Sequence, residues 1–298
     1  MRRIPDIYAA GRTAGRPVIS VEFFPPKTPQ GDVSLFERVL PALAAVRPDF
    51  YSVTCGAGGV GVRTRTLQIV DRMQREHAMT AMAHVTCVSF THAEMDGFLD
   101  EAADLGIRNI LALRGDPPAG QPDFQRPAGG FDYAWQLIDV LKARADQFAI
   151  GCAGFPEGHP ECREGREIDW QRLRDKVDHG AEFILTQLFF DNAYYFEMAD
   201  YLTGRLGVKV PITPGVLPIL NARQIKRFTA LCGATLPAPL VAALDRFGDD
   251  DEAVARYGIE FATRQCEELL AAGAPGLHLY GLNRSRSAVA ILRNLGLA

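Results

Sequence analysis

Eight short apolar runs, rich in β-branched and aromatic residues, recur along the 298-residue chain at 18–24, 50–55, 80–87, 109–115, 149–155, 183–190, 210–217 and 276–283. Between them the apolar residues switch to a helical period: Leu35, Val39, Leu40, Leu43 and Val46 share one helix face, as do Phe98, Ala102 and Leu105. Side chains that can accept from unpaired backbone N–H groups stand at five expected helix starts, Asp32, Thr91, Asp132, Asp169 and Asn221. Strands that are apolar on both faces suit a parallel sheet, because crossover helices cover both of its sides. Repeated eight times, the alternation predicts an α/β chain folded as a single (β/α)8 barrel, the TIM-barrel architecture, over residues 1–298; an open doubly wound sheet is the alternative. The long interval before the last run leaves room for extra helices at 239–247 and 249–272.

No run approaches the roughly 18 apolar residues of a membrane helix. The basic residues after Met1 lead into no apolar stretch of signal-peptide length, so a cytoplasmic protein is expected. The net charge is −4, without Lys/Arg clustering, and the electrostatic footprint of a nucleic-acid binder is missing. The partners expected are small molecules, with neither nucleic acid nor membrane, and the surface helices suit an isologous interface in a homo-oligomer. Cys55, Cys87, Cys152, Cys162, Cys232 and Cys266 are dispersed with no C-x-x-C spacing, a pattern of reduced thiols. His159-Pro160-Glu161 with Glu157 is the one metal-like constellation, and no metal is expected.

In such a barrel the carboxyl ends of the strands open on one mouth, where chemistry collects. Here those ends carry Glu22 within Val21-Glu22-Phe23-Phe24-Pro25, Thr54 with Cys55, His84, Arg114 to Asp116, Glu157 with His159, Gln187, and Asn283-Arg284. A buried polar group without a partner costs about 1–3 kcal/mol, so several of them among apolar neighbours point to a site. Desolvation beside Phe23 and Phe24 is expected to keep Glu22 a neutral acid, able to donate near neutral pH, unless a Lys or Arg ties it as a structural carboxylate. His84 reads as a ligand contact or a hydrogen-bonded core imidazole, and Arg114 with Asp116 as site residues or a mutual ion pair. Gln187 suits two-point recognition of a heterocycle edge. Gly56, Gly58, Gly59 and Gly61 look like a phosphate cradle, but they lack the P-loop Lys and the dinucleotide-fold spacing, and an ordinary βα turn explains them as well.

The ordered segments Glu22-Phe23-Phe24-Pro25-Pro26-Lys27, Ser52-Val53-Thr54, His84-Val85-Thr86-Cys87, Leu111-Ala112-Leu113-Arg114-Gly115-Asp116, Pro156-Glu157 with His159-Pro160-Glu161, Lys176-Val177-Asp178 with Gly180-Ala181, Thr186-Gln187 and Leu282-Asn283-Arg284 span nearly the whole chain. Together they resemble the methylenetetrahydrofolate reductases. The resemblance implies an FAD-bearing barrel that interconverts 5,10-methylene- and 5-methyltetrahydrofolate with NAD(P)H, in the one-carbon metabolism that feeds methionine biosynthesis. It implies that Glu22 is the general acid and that Asp116 lies beside the flavin ring. Thr54, Cys55, Ala57, His84, Arg114, Gly115, Asp116, Tyr133, Ala134, Phe155, His159, Asp169 and Lys176 match FAD-contacting positions. Gln187, Gln224 and Arg284 match substrate positions, and Phe228 matches an aromatic residue that packs on the nicotinamide. Cys55 and Phe155 replace tyrosines of bacterial relatives, Leu188 stands where many have Phe, and Asp175 where Arg is found near the cofactor.

The implied chemistry divides labour between protein and cofactor. Opening the methylenetetrahydrofolate ring to a 5-iminium cation requires a proton on the departing N10, and hydride transfer requires a carrier that side chains cannot replace. Two substrates using one flavin face in turn give ping-pong kinetics. Arg284 would pair with the glutamate tail and Gln187 with the pterin edge. Two other readings stay open, an FAD-bearing barrel oxidoreductase of the proline dehydrogenase type and a flavin-free folate-binding scaffold.

Overall fold

A computed structural model of the chain describes residues 1–55, 60–116 and 124–298. Its strands are β1 Val18–Phe23, β2 Phe50–Val53, β3 Ala81–Thr86, β4 Asn109–Leu113, β5 Ala149–Gly154, β6 Phe183–Leu188, β7 Ile212–Val216 and β8 Gly276–Tyr280. All pair in parallel and in chain order, and β8 returns to β1 with Val18 opposite Gly276 and Glu22 opposite Tyr280. That closure is the expected eightfold barrel and rules out the open sheet. Every strand falls inside its predicted run but stops short of the run's carboxyl end, where the chain leaves the ladder to build the mouth.

The helices are α1 Ile4–Ala14, α2 Pro29–Ser34 and α3 Leu40–Ala44 with a π turn between them, α4 Val60–His77, α5 His92–Asp104, α6 Ala134–Lys142, α7 Arg166–His179, α8 Asn192–Asp200, α9 Ala222–Cys232, α10 Ala238–Phe247, α11 Asp251–Ala271 and α12 Arg286–Asn294. The two extra helices expected before the last strand are α10 and α11. No helix among the described residues is long and apolar enough to cross a membrane, and none of the six cysteines forms a disulfide.

Two of the five expected caps act as such. Asn221 Oδ1 accepts from Gln224 N at 2.8 Å, and Thr91 forms a capping box in which its hydroxyl accepts from Glu94 N while the Glu94 carboxylate accepts from Thr91 N. The other three are displaced. Thr28 caps α2, and Asp32 lies in its first turn, paired with Arg65. Gln136 Oε1 accepts from the backbone of Asp132 and Tyr133 ahead of α6. Asp169 sits inside the first turn of α7 and accepts from His159 N at 3.1 Å. Thr91→Ala removes the hydroxyl from the capping box and is expected to cost about 1 kcal/mol, read as a fall of about 2 °C in Tm by calorimetry.

Strand alternation sorts the interior into two regions. On β1, Ile19, Val21 and Phe23 face the surrounding helices, whereas Val18, Ser20 and Glu22 face the barrel axis. The amino end of the barrel is closed by α1, a helix the strand-centred reading did not expect, although Ile4, Ile7, Tyr8 and Gly11 carry its period. Ile4, Ile7 and Tyr8 pack on Val18, Phe50, Met82, Leu111, Phe183 and Leu185, and Tyr8 Oη meets Thr213 Oγ1 at 2.6 Å. Gly151 makes room for the Phe183 ring, which would lie 2.4 Å from any Cβ there. The result is a dry floor under a polar upper half.

Candidate active site

Above that floor the strand ends enclose a cavity of about 990 Å³, the upper end of the size range for small-molecule sites. Glu22 lies at its base and is buried. Phe23, next in sequence, points the other way and stacks on Tyr51 at 5.8 Å, while Phe24 is 43% exposed. The two phenylalanines therefore do not shield the carboxyl, which corrects the expectation of a neutral acid kept so by apolar neighbours.

Imidazoles surround it instead. His278 Nε2 is 3.1 Å from Glu22 Oε2, and His84 Nε2 comes within 3.4 Å of the same oxygen without hydrogen-bond geometry. Burial is the largest single influence on Glu22 and pushes its pKa up, but the pull of His84 and the hydrogen bond and charge of His278 outweigh it, leaving the group below its ordinary value. Ser52, its register neighbour on β2 but outside ordinary hydrogen-bond geometry, adds a smaller pull in the same direction. Burial pushes His84 itself down to about 4. That imidazole is uncharged at neutral pH, so the hold on Glu22 there falls mainly to His278. On its far side, His278 Nδ1 shares a hydrogen bond with Ser20 Oγ at 2.8 Å. Ser20, Glu22 and His278 thus form a continuous buried chain, of which sequence reasoning singled out only Glu22. The signal for His278 was available, since it is the polar residue between Leu277 and Leu279 on a strand of period two.

Most residues that match FAD-contacting positions share this cavity. Thr54, His84, Arg114, Gly115, Asp116, Tyr133, Ala134, Phe155, His159, Asp169 and Lys176 line it. Gly115 has φ +82°, and a Cβ there would meet Thr86 Cβ at 2.7 Å, so both the turn and its close approach to β3 require glycine. Arg114 does not pair with Asp116; its Nη1 reaches Glu161 Oε2 at 2.6 Å. Lys176 Nζ donates to Ala153 O at 3.1 Å, and Phe155 packs edge-on against His159 at 4.6 Å. Burial, then the charge of Arg114, lowers the pKa of His159. Cys55 stands off the wall, its Sγ 3.6 Å from Thr86 Oγ1. Ala57 and the glycines 56, 58 and 59 lie outside the described residues. The metal-like residues separate, since Glu157 accepts from Thr235 N at 3.0 and 3.1 Å while Glu161 serves Arg114.

The substrate-matched residues divide between two spaces. Gln187 lines the main cavity with its carbonyl accepting from Leu188 N at 2.9 Å. Gln224 and Arg284 line a second cleft, and Phe228 lines both. Tyr280 was not singled out in the sequence; it lines the main cavity and donates to Thr186 O at 2.8 Å, with its phenol pKa raised well above the ordinary value by burial.

Fold and site together define a (β/α)8 barrel built for a large ligand, with a buried carboxyl–imidazole chain at the base of its mouth. Residues 7–296 match the family model described as methylenetetrahydrofolate reductase, and the chain belongs to that family. It is 41% identical over 304 residues to methylenetetrahydrofolate reductase (NADH) 1 of Arabidopsis thaliana, covering 99% of this chain and 50% of that one. It is 35% identical over 280 residues to the 5,10-methylenetetrahydrofolate reductase of Escherichia coli K12, covering 93% and 90%. The chain thus spans about half the length of the plant relatives and most of the bacterial one. Among solved structures, a Clostridium thermocellum protein described as binding two copies of 5-methyl-5,6,7,8-tetrahydrofolic acid superposes with a TM-score of 0.65 at 15% identity, covering 97% and 98%. At that identity the likeness speaks for the fold alone.

Proposed function

We propose that this barrel binds FAD and interconverts 5,10-methylenetetrahydrofolate and 5-methyltetrahydrofolate with NAD(P)H, Glu22 serving as the general acid. One observation carries the reading: Glu22, the one buried carboxyl lining the cavity among the described residues, is joined by a hydrogen bond to an imidazole, which would make a proton available where a ring nitrogen leaves.

The cavity suits the cofactor. Its volume is adequate for a flavin nucleotide, Arg114 and Lys176 offer cations along one wall, and Thr54, on the cavity wall, has a buried hydroxyl with no hydrogen-bond partner among the described residues. Arg114, His159, Asp169 and Lys176 would hold the nucleotide, with Asp116 and the Thr54–Gly115 side flanking the ring. FAD, when bound, supplies a carrier that accepts hydride from NAD(P)H and returns it to carbon.

The chain's own residues handle binding and the proton. Gln187 offers the amide nitrogen that its backbone contact leaves over to a pterin edge. A ring seated in the mouth would exclude water from Glu22 and strengthen the burial that raises its pKa, favouring the protonated carboxyl beside His278 Nε2. From there the proton is delivered to N10. The two substrates would use the mouth in turn, which gives ping-pong turnover.

The test is an absorbance spectrum of the purified protein, followed by titration with NADH, NADPH and 5-methyltetrahydrofolate. A flavin band bleached by each reductant supports the proposal; a colourless protein that takes up no FAD but binds folate would establish the scaffold instead. Arg284→Ala is expected to raise the folate KM about tenfold, or ~1.4 kcal/mol, with FAD affinity unchanged. Loss of FAD binding in that variant would refute the pairing of Arg284 with the glutamate tail.

A further inference from the structure

β6 and β7 lose their register at one place. Ile184 lies opposite Ile212 and Leu185 opposite Thr213, but the next pair is Leu188 with Gly215, so Thr186 and Gln187 together stand against Pro214. Proline has no N–H to give to a ladder, and a bulge in the partner strand is where a sheet tolerates it. The strand period slips as a result. Leu185 and Gln187 lie on the axis side of β6, Leu188 joins them on the cavity wall, and Phe189 returns to the core under the helices.

The bulge is clamped from two strands away. Tyr280 on β8 reaches across β7 and donates from Oη to Thr186 O at 2.8 Å. The residue it crosses is Gly215, where a Cβ would lie 2.3 Å from Thr186 O and 2.9 Å from both Cε2 and Oη of Tyr280. Only the missing side chain leaves room for the ring. Gly215 N donates to Thr186 Oγ1 at 2.9 Å, and that hydroxyl donates in turn to Gln187 O at 2.9 Å. Backbone groups that the broken ladder would leave unpaired are thereby satisfied. Next to them Leu188 N donates to Gln187 Oε1 at 2.9 Å, which leaves the amide nitrogen as the free end of a side chain on the cavity wall.

We propose that Tyr280 is a positioning residue for Gln187: by holding the β6 bulge across Gly215, it fixes the amide that meets the pterin edge. The inference rests on the proposed function, which gives Gln187 that contact, and adds the device that makes the contact specific. Phenylalanine at position 280 would keep the ring and its edge-on packing against His278 at 5.4 Å. What it removes is the clamp on Thr186 O.

The test is a double-mutant cycle on the FAD-loaded protein with Tyr280→Phe, Gln187→Ala and both together. Rapid mixing with increasing 5-methyltetrahydrofolate gives each variant a Kd, from saturation, and a limiting rate of flavin reduction with its pH profile. Gln187→Ala is expected to raise the Kd about tenfold and Tyr280→Phe about fivefold, the latter with an unmoved pH limb. The double variant should bind no more weakly than Gln187→Ala alone, because the clamp has nothing left to position. Factors that multiply to about fiftyfold would show that Tyr280 acts independently of Gln187, and native folate affinity in Tyr280→Phe would show that the bulge needs no clamp. Either result overturns the inference and leaves the proposed function standing. So would a shifted pH limb in Tyr280→Phe, which places the influence of the phenol on Glu22, or a loss of FAD, which makes its hydroxyl a general prop of the barrel. Native affinity in Gln187→Ala would refute the pterin contact and the inference together. If native protein itself shows no flavin reduction by 5-methyltetrahydrofolate, the proposed function fails and takes the inference with it.

Discussion

Replacing Glu22 with Gln is expected to slow folate turnover by about 10³-fold while leaving the oxidation of NADH or NADPH within about twofold of native, because only the folate step needs a proton from this position. Gln keeps the shape of the side chain and a hydrogen-bonding partner for His278 Nε2, 3.1 Å away, so the base of the cavity should survive the change. It cannot release a proton to N10. Rapid mixing at the flavin band separates the two half-reactions, and an unaltered rate with 5-methyltetrahydrofolate would remove Glu22 from the chemistry altogether. A loss shared by both half-reactions would instead indicate a distorted site.

The barrel was legible because its cause is distributed over the whole chain. Eight apolar runs with helical intervals admit few closed arrangements, and each strand formed inside its run. What the pattern overran was the carboxyl end of every strand, since residues such as Thr54, Gly115 and Leu217 continue an apolar run in sequence while the backbone turns away to line the mouth. α1 went unrecognised for a related reason: its four buried residues are spread over eleven, and they acquire meaning only beside the floor formed by Phe50, Met82 and Phe183.

The site was legible residue by residue but not as a set of pairings. Glu22 was identified as an embedded carboxyl, yet its environment was inferred from Phe23 and Phe24, its neighbours along the chain. On a strand, sequence neighbours face opposite ways, so the groups that set the behaviour of Glu22 come from β3 and β8, at positions 84 and 278. The same rule misjudged Arg114, whose partner is Glu161 on the next loop over rather than Asp116 two residues on. Period two identifies which residues share the barrel axis. Only the closure of the sheet decides which of them touch.

His278→Leu probes that closure most directly. In native protein burial raises the Glu22 pKa and the imidazoles more than offset it; with His84 driven to about 4 and uncharged, the offset at neutral pH is mainly the work of His278. Leucine removes that hydrogen bond and leaves burial dominant, so the Glu22 pKa should rise. The sign of the kinetic consequence follows. Reduction of methylenetetrahydrofolate requires the protonated carboxyl, so its rate is lost as pH rises through that pKa, and in His278→Leu this loss should move to higher pH. The plateau rate below it should nevertheless fall, by about 10²-fold, because the Glu22 carboxyl loses the hydrogen bond from His278 that orients it. A variant damaged only structurally would lose rate at every pH without shifting the limb, and a limb that moved to lower pH would mean that His278 does not hold Glu22 on its ionised side. Far-UV dichroism would establish that the barrel is intact, and a pH series of single-turnover folate reactions decides among these outcomes.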